Sequence, residues 1–164
     1  MIQKLKRKDI ELIVYDCDGV LTDNKVILCE DGKESAIFNR SDGLAVRMIK
    51  EAGIAQVILS TEKNKIVKLR SQKLKIPVIY GVENKKKVLQ KYCRKTGFSL
   101  KKTIYVGNDI NDLDVMRFVG MPMCPLDAFP EIKRIAKVII QVKGGEGVVR
   151  ELLNYLEVFN GRIN

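Results

Sequence analysis

The chain has 164 residues, 46% of them hydrophobic, enough for one buried core and too few for two ordinary domains. It carries 30 Lys and Arg against 20 Asp and Glu, a formal charge of +10, and no His, which removes Ser-His-Asp hydrolysis, histidine-phosphate chemistry and His-ligated zinc. The longest uncharged run, Ala52 to Thr61, falls far below the roughly 20 apolar residues of a membrane span, and Met1 to Ile10 lacks a signal-peptide apolar region, so a cytoplasmic protein without membrane partners is expected.

From residue 10 onward, short β-rich apolar runs alternate with amphipathic stretches, the pattern of an α/β protein with a doubly wound parallel sheet. Ile10 to Asp16 is the first strand. Lys25 to Cys29 and Glu34 to Phe38 flank an acidic turn with Gly32, which predicts a β-hairpin projecting from the sheet over about 25–38. Ser41 or Asp42 caps a helix that runs to Ala52 and stops at Gly53. Strand Gln56 to Ser60, the basic helix Asn64 to Leu74 and strand Val78 to Tyr80 follow. Then come helix Lys85 to Thr96, strand Thr103 to Val106, helix Asn111 to Val119 and a short strand within Pro122 to Pro125. Helix Phe129 to Ala136, strand Val138 to Gln141 and a terminal helix over about 146–159 complete a single domain covering 1–164.

The four cysteines, Cys17, Cys29, Cys93 and Cys124, form no CxxC pair, as expected of reduced thiols. Six positions beyond them stand Asp23, Ser35, Ser99 and Pro130, so the Arg that a cysteine phosphatase needs there is missing. No Walker A loop occurs either. The Lys and Arg residues concentrate between Lys63 and Lys102 at helical spacing, which reads as a solvated face rather than a nucleic-acid groove. A phosphatase working on nucleic-acid ends draws on the charge alone.

In a doubly wound sheet, functional groups gather at the carboxyl ends of the strands. That rule selects Asp16 with Asp18, Ser60 with Thr61, and Asn108 with Asp109 and Asp112, joined by Lys85 from a helix start. Asp16-Cys17-Asp18-Gly19 directly after a hydrophobic strand is the most specific string. A carboxylate such as Asp16 can attack phosphorus when a divalent cation offsets the repulsion between two anions. Asp18 stands where it could exchange protons with leaving group and water, and Gly19 lets backbone amides approach a phosphate. A calcium loop fits poorly, because the positions that should hold a ligand and Gly hold Val20 and Leu21. A receiver domain is disfavoured, because its phosphoacceptor ends a middle strand and the strand ending at Ser60 supplies no Asp.

These strings resemble the haloacid dehalogenase superfamily, and within it the branch of 3-deoxy-octulosonate 8-phosphate and sialic-acid 9-phosphate phosphatases. Asp16-Cys17-Asp18 resembles the first motif, Ile58-Leu59-Ser60 the second, Lys85 the third and Gly107-Asn108-Asp109-Ile110-Asn111-Asp112 the fourth. The resemblance implies a Rossmann-like core with the hairpin in place of a cap domain, Mg2+ as cofactor, and hydrolysis of a keto-sugar-acid phosphate through an aspartyl-phosphate. It implies Asp16, Asp18, Ser60 and Lys85 as catalytic residues, with Asp16, Asp18 and Asn108 on the metal. Asn108 departs from the commoner Asp, and a neutral ligand either weakens metal affinity or leaves more to Asp109 and Asp112.

Two further strings, Phe38-Asn39-Arg40-Ser41-Asp42-Gly43 and Lys143-Gly144-Gly145-Glu146-Gly147 with Arg150-Glu151, also resemble this branch, whose members form homotetramers through their hairpins. The glycines of the second string suit a mobile tail, and Arg150 is expected at a carboxylate or phosphate. Thr61, Glu62 and Lys73 are the expected sugar contacts, Glu62 and Lys73 by likeness to the sialic-type members. A catalytically weak relative that serves as an oligomerisation module beside a cytidylyltransferase is the alternative.

Overall fold

The computed structural model describes residues 4–157. Its centre is strand β2 (Leu12–Tyr15), in which every position is buried. An uninterrupted apolar strand of this kind belongs in a sheet covered on both faces. Before it lies the two-residue strand β1 (Leu5–Lys6), and after it a hairpin of β3 (Ile27–Leu28) and β4 (Glu34–Ser35). The chain then alternates: helix α1 (Arg40–Glu51), β5 (Ala55–Leu59), α2 (Lys65–Leu74), β6 (Val78–Ile79), α3 (Lys85–Thr96) and β7 (Thr103–Val106). Short helices α4 (Leu113–Met116), α5 (Pro130–Lys133) and α6 (Val148–Leu152) accompany β8 (Met121–Pro125), β9 (Val138–Ile140) and β10 (Leu156–Glu157).

The six-stranded sheet has the order β6-β5-β2-β7-β8-β9, and every pairing in it is parallel. The chain builds outward from β2 to one edge, then returns to add β7, β8 and β9 on the other side. Leu12 pairs with Ala55 on one flank and Thr103 on the other, so the reversal of strand order lies at β2 itself. A crevice opens at the carboxyl end of such a switch point.

Alternate residues of β2 feed opposite layers, as the two-residue period of a strand requires. Ile13 and Tyr15 join Ala45, Val46, Ile49, Val148 and Leu152 under α1 and α6. Leu12 and Val14 join Leu89, Cys93, Val115, Met116 and Ile132 under α3, α4 and α5.

The structure departs from the sequence-based reading in four places. Helix α1 is capped by Asn39, whose side chain accepts from the Ser41 amide at 2.9 Å, rather than by Ser41 or Asp42. The hairpin pairs only Ile27 with Ser35 and Leu28 with Glu34, because its flanks find no partner strand. The helices expected over 111–119 and 129–136 shorten to α4 and α5; Gly120, whose amide bonds Leu100 carbonyl at 2.8 Å, already sits against the Lys101 backbone. Finally, the helix expected over 146–159 gives way after Leu152 to a tight turn and to β10, which pairs in parallel with β1. That pairing joins the two ends of the described span and has no local sequence signal; Val158 and Phe159 lie outside the described residues.

Candidate active site

Asp16 follows the last residue of β2 and is buried at the switch point. Its amide donates to Val106 carbonyl at 2.9 Å, and its Oδ1 accepts from the Cys17 amide at 2.8 Å. The chain then turns sharply through Gly19, at φ +86, where a Cβ would collide with the Asn108 side chain. Only glycine meets both demands, the left-handed backbone and the close approach.

Lys85 opens α3 and is almost wholly buried. Its Nζ lies 2.8 Å from Asp16 Oδ1 and 2.7 Å from Asp112 Oδ1. Asp112 is fully committed elsewhere too: Oδ1 accepts from Tyr105 hydroxyl at 2.7 Å, and Oδ2 from the amides of Asn108 at 3.0 Å and Asp109 at 3.4 Å. Asp112 therefore anchors the lysine and the turn around Asn108. Burial alone would pull the Lys85 ammonium down, but Asp16 and Asp112 outweigh it and hold it above its usual range. Burial, with Asp112 adding repulsion, pushes the Asp16 carboxyl well up despite Lys85. One ammonium shared between two buried carboxylates leaves the cluster short of positive charge.

Asp18 is partly buried, receives the Thr22 hydroxyl at 3.5 Å, and is raised first by burial and then by the Glu62 charge. Asn108, from the turn after β7, is buried, and its Oδ1 has no hydrogen-bond partner. An orphaned buried oxygen of this kind calls for a ligand. Asp16, Asp18 and Asn108 share a polar cavity of about 110 Å3 with Asn24, Thr61, Glu62, Asp109 and Asn111. Among the described residues no three His, Cys, Asp or Glu side chains converge as a metal cluster, but Asp16, Asp18 and the partnerless Asn108 oxygen line one cavity. Oxygen donors suit a hard divalent cation such as Mg2+. A larger cavity of about 590 Å3 lies at the amino ends of β8 and β9, lined by Lys4, Lys137 and Tyr155, away from these carboxylates.

Ser60 directly follows β5, next to this cavity without lining it, and its Oγ accepts from the Glu62 amide at 3.1 Å, leaving the hydroxyl proton free to donate. Asp109 lines the cavity, though its Oδ1 is engaged by the Ile110 amide at 2.6 Å. Two expected substrate contacts lie elsewhere in the chain. Lys73 lines a groove between the hairpin and α2, and Arg150 is exposed on α6. The sequence reading passed over Asn24, Asn111 and Tyr105. Asn24 holds φ 65, a conformation Asn tolerates; Tyr105 is a polar tip in an otherwise apolar strand.

The sequence profile of haloacid dehalogenase-like hydrolases matches residues 52–152. The chain belongs to that family. The matched span of this haloacid dehalogenase-like chain starts after Asp16, but full-length relatives cover the first motif as well. The 3-deoxy-D-manno-octulosonate 8-phosphate phosphatase KdsC of Escherichia coli K12 is 31% identical over 160 residues, 97% of this chain and 85% of that one. A HAD family hydrolase of Streptomyces avermitilis superposes with TM-score 0.90 at 36% identity, covering 93% of this chain and 94% of that chain. The 3-deoxy-D-manno-octulosonate 8-phosphate phosphatase of Moraxella catarrhalis, solved with magnesium, phosphate and a KDO molecule, gives 0.88 at 29% identity, covering 94% and 91%. The expectations of a haloacid dehalogenase-type α/β fold and of a phosphatase of this superfamily are met.

Proposed function

We propose that this haloacid dehalogenase-like protein is a Mg2+-dependent phosphomonoesterase that hydrolyses a keto-sugar-acid phosphate through an aspartyl-phosphate on Asp16. The observation that carries the reading is the convergence of Asp16, Asp18 and the partnerless Asn108 oxygen on one small polar cavity, with Lys85 bonded to Asp16 behind it. The side-chain oxygens of Asp16 and Asn108, with the backbone carbonyl of Asp18, would hold the cation, which would offset charge between carboxylate and phosphate and leave the Asp18 carboxyl free to carry a proton.

Asp16 attacks phosphorus and the bond to the sugar oxygen breaks, while Asp18 delivers its proton to that oxygen. The raised carboxyl of Asp18 suits a group that must carry a proton before it gives one. Asp18 then takes a proton from water, whose oxygen attacks the same phosphorus and frees Asp16. Lys85 stabilises charge on the phosphoryl oxygens, and Ser60 has a free hydroxyl proton to donate to one of them. The names of the relatives favour an eight-carbon acid; Glu62 on the cavity rim keeps a nine-carbon, sialic-type acid as the second substrate to try.

The homotetramer belongs to the same proposal. Leu28 of the hairpin and Ile37 just beyond it are 69% and 71% exposed, apolar surface that a lone chain leaves in water. No helix among the described residues is long and apolar enough to cross a membrane, and a cytoplasmic enzyme is part of the reading. Phosphate release from octulosonate 8-phosphate with Mg2+ tests it. The wild-type chain should turn over and stop on chelation; an oligomerisation module without chemistry would release nothing.

A further inference from the structure

The two strings that the site leaves unused, Asn39 to Gly43 and Lys143 to Gly147, meet in space. Gly144 and Gly145 lie flat on the loop that carries Asp18: a Cβ on Gly145 would stand 2.6 Å from the Asp23 amide, and one on Gly144 would strike the carbonyl of Gly19. The Gly145 amide donates to Val20 carbonyl at 3.0 Å, and the Gly144 amide to Asp127 Oδ1 at 2.8 Å. These glycines form a packed strap, not the mobile tail expected of them. The strap leads directly into α6, whose preceding residue, Gly147 at φ +90, has no side chain to cap the helix.

The missing cap comes from another helix. Asp42, fully buried on α1, accepts the Arg150 amide on its Oδ1 at 3.0 Å. Asn39 fixes the start of α1 by accepting the Ser41 amide and hydroxyl at 2.9 and 2.7 Å, and its carbonyl takes Arg70 Nη2 at 2.7 Å. Gly147 sits so close to Ser41 that a Cβ would approach its Oγ to 3.0 Å. A continuous chain of contacts thus runs from α1, through Asp42 and the first turn of α6, to the backbone of Gly19 to Asp23.

We infer that Asp42 is a positioning residue: by capping α6 it holds the strap at 143–147, and the strap fixes the loop that aims Asp18 at the cavity. The kinetic half of this inference rests on the proposed phosphatase activity; the structural half does not. Asp42→Ala removes the cap, whereas Asp42→Asn keeps an oxygen acceptor for the Arg150 amide.

The test uses the full chain with Mg2+, steady-state kinetics on octulosonate 8-phosphate, and amide hydrogen exchange. Asp42→Ala is expected to lower kcat at least about tenfold with KM within about threefold. Exchange should speed up at Gly19 and Thr22 while the β2 amides stay protected. Asp42→Asn should remain within about threefold of wild type in kcat. An Asp42→Ala protein with wild-type kcat and unchanged exchange at Gly19 and Thr22 overturns the inference, as does faster exchange spread evenly over the sheet. Should Asp42→Ala not fold, Asp42→Ser, with a shorter acceptor, is read against the same outcomes. If even the wild type releases no phosphate, the functional reading fails, while the exchange pattern still decides whether Asp42 holds the loop.

Discussion

Asn108 offers a neutral oxygen to the cavity, and the nearest carboxylates are in part committed elsewhere. Asp112 spends its oxygens on Lys85, Tyr105 and two backbone amides, and Asp109 caps its own turn. Ligand charge sets cation affinity at such sites, so Asn108→Asp should tighten Mg2+ binding on the order of tenfold, read by titration calorimetry on the free protein. Unchanged affinity would remove Asn108 from the ligand set. Lys85 makes a second case, because it neutralises two buried carboxylates at once. Lys85→Ala leaves both uncompensated and should destabilise the fold by about 3–5 kcal/mol in urea titrations, besides abolishing turnover. A loss below about 1 kcal/mol would mean that the carboxylates find protons or water instead.

At the scale of elements, α1 and α6 are tied by Asp42, whose carboxyl is pushed up to about 6, first by burial, against the backbone amides of Arg150 and Val149 and the charge of Arg70. Tyr15 faces the same carboxylate from β2. A folded-state value above the unfolded one means that the unfolded chain ionises first as pH rises. The contribution of Asp42 to stability is therefore fully present below about pH 4 and is lost between about pH 4 and 6, by about 3 kcal/mol. Relative to wild type, Asp42→Asn should gain stability over that window and hold the gain above it, followed by chemical denaturation at a series of pH values. A parallel pH dependence for both proteins would contradict the assignment.

The elements also show where sequence stops being informative. The strand-helix alternation from Ile10 to Gln141 was readable because each unit announces itself locally, through an apolar run and a cap or glycine stop. The shortened helices and β10 were not, because their limits depend on contacts distant in sequence: Gly120 against Lys101, and Leu156 beside Leu5. The site divides the same way. Asp16, Asp18 and Asn108 could be found at strand ends and Lys85 at a helix start, their roles implied by the family resemblance, whereas the commitment of Asp112 to Tyr105 and the capping of α6 by Asp42 exist only in three dimensions.

For the whole molecule, strand order is the source of function: placing β2 between β5 and β7 puts the end of β2 beside the turns after Leu59 and Val106. The exposed apolar hairpin stands apart from this core and serves assembly in the proposed tetramer. Ile37→Lys should shift the particle from four chains toward one in sedimentation velocity, with the melting temperature of the core nearly unchanged; an unaltered particle would place the interface elsewhere.

The central claim is that Asp16 takes phosphorus covalently. Borohydride quenching of the enzyme during turnover, followed by peptide mass mapping, tests it most directly. The expected result is reduction of Asp16 alone, to homoserine, and only when substrate and Mg2+ are both present. Reduction at another carboxylate, or none while phosphate is still being released, would contradict the account.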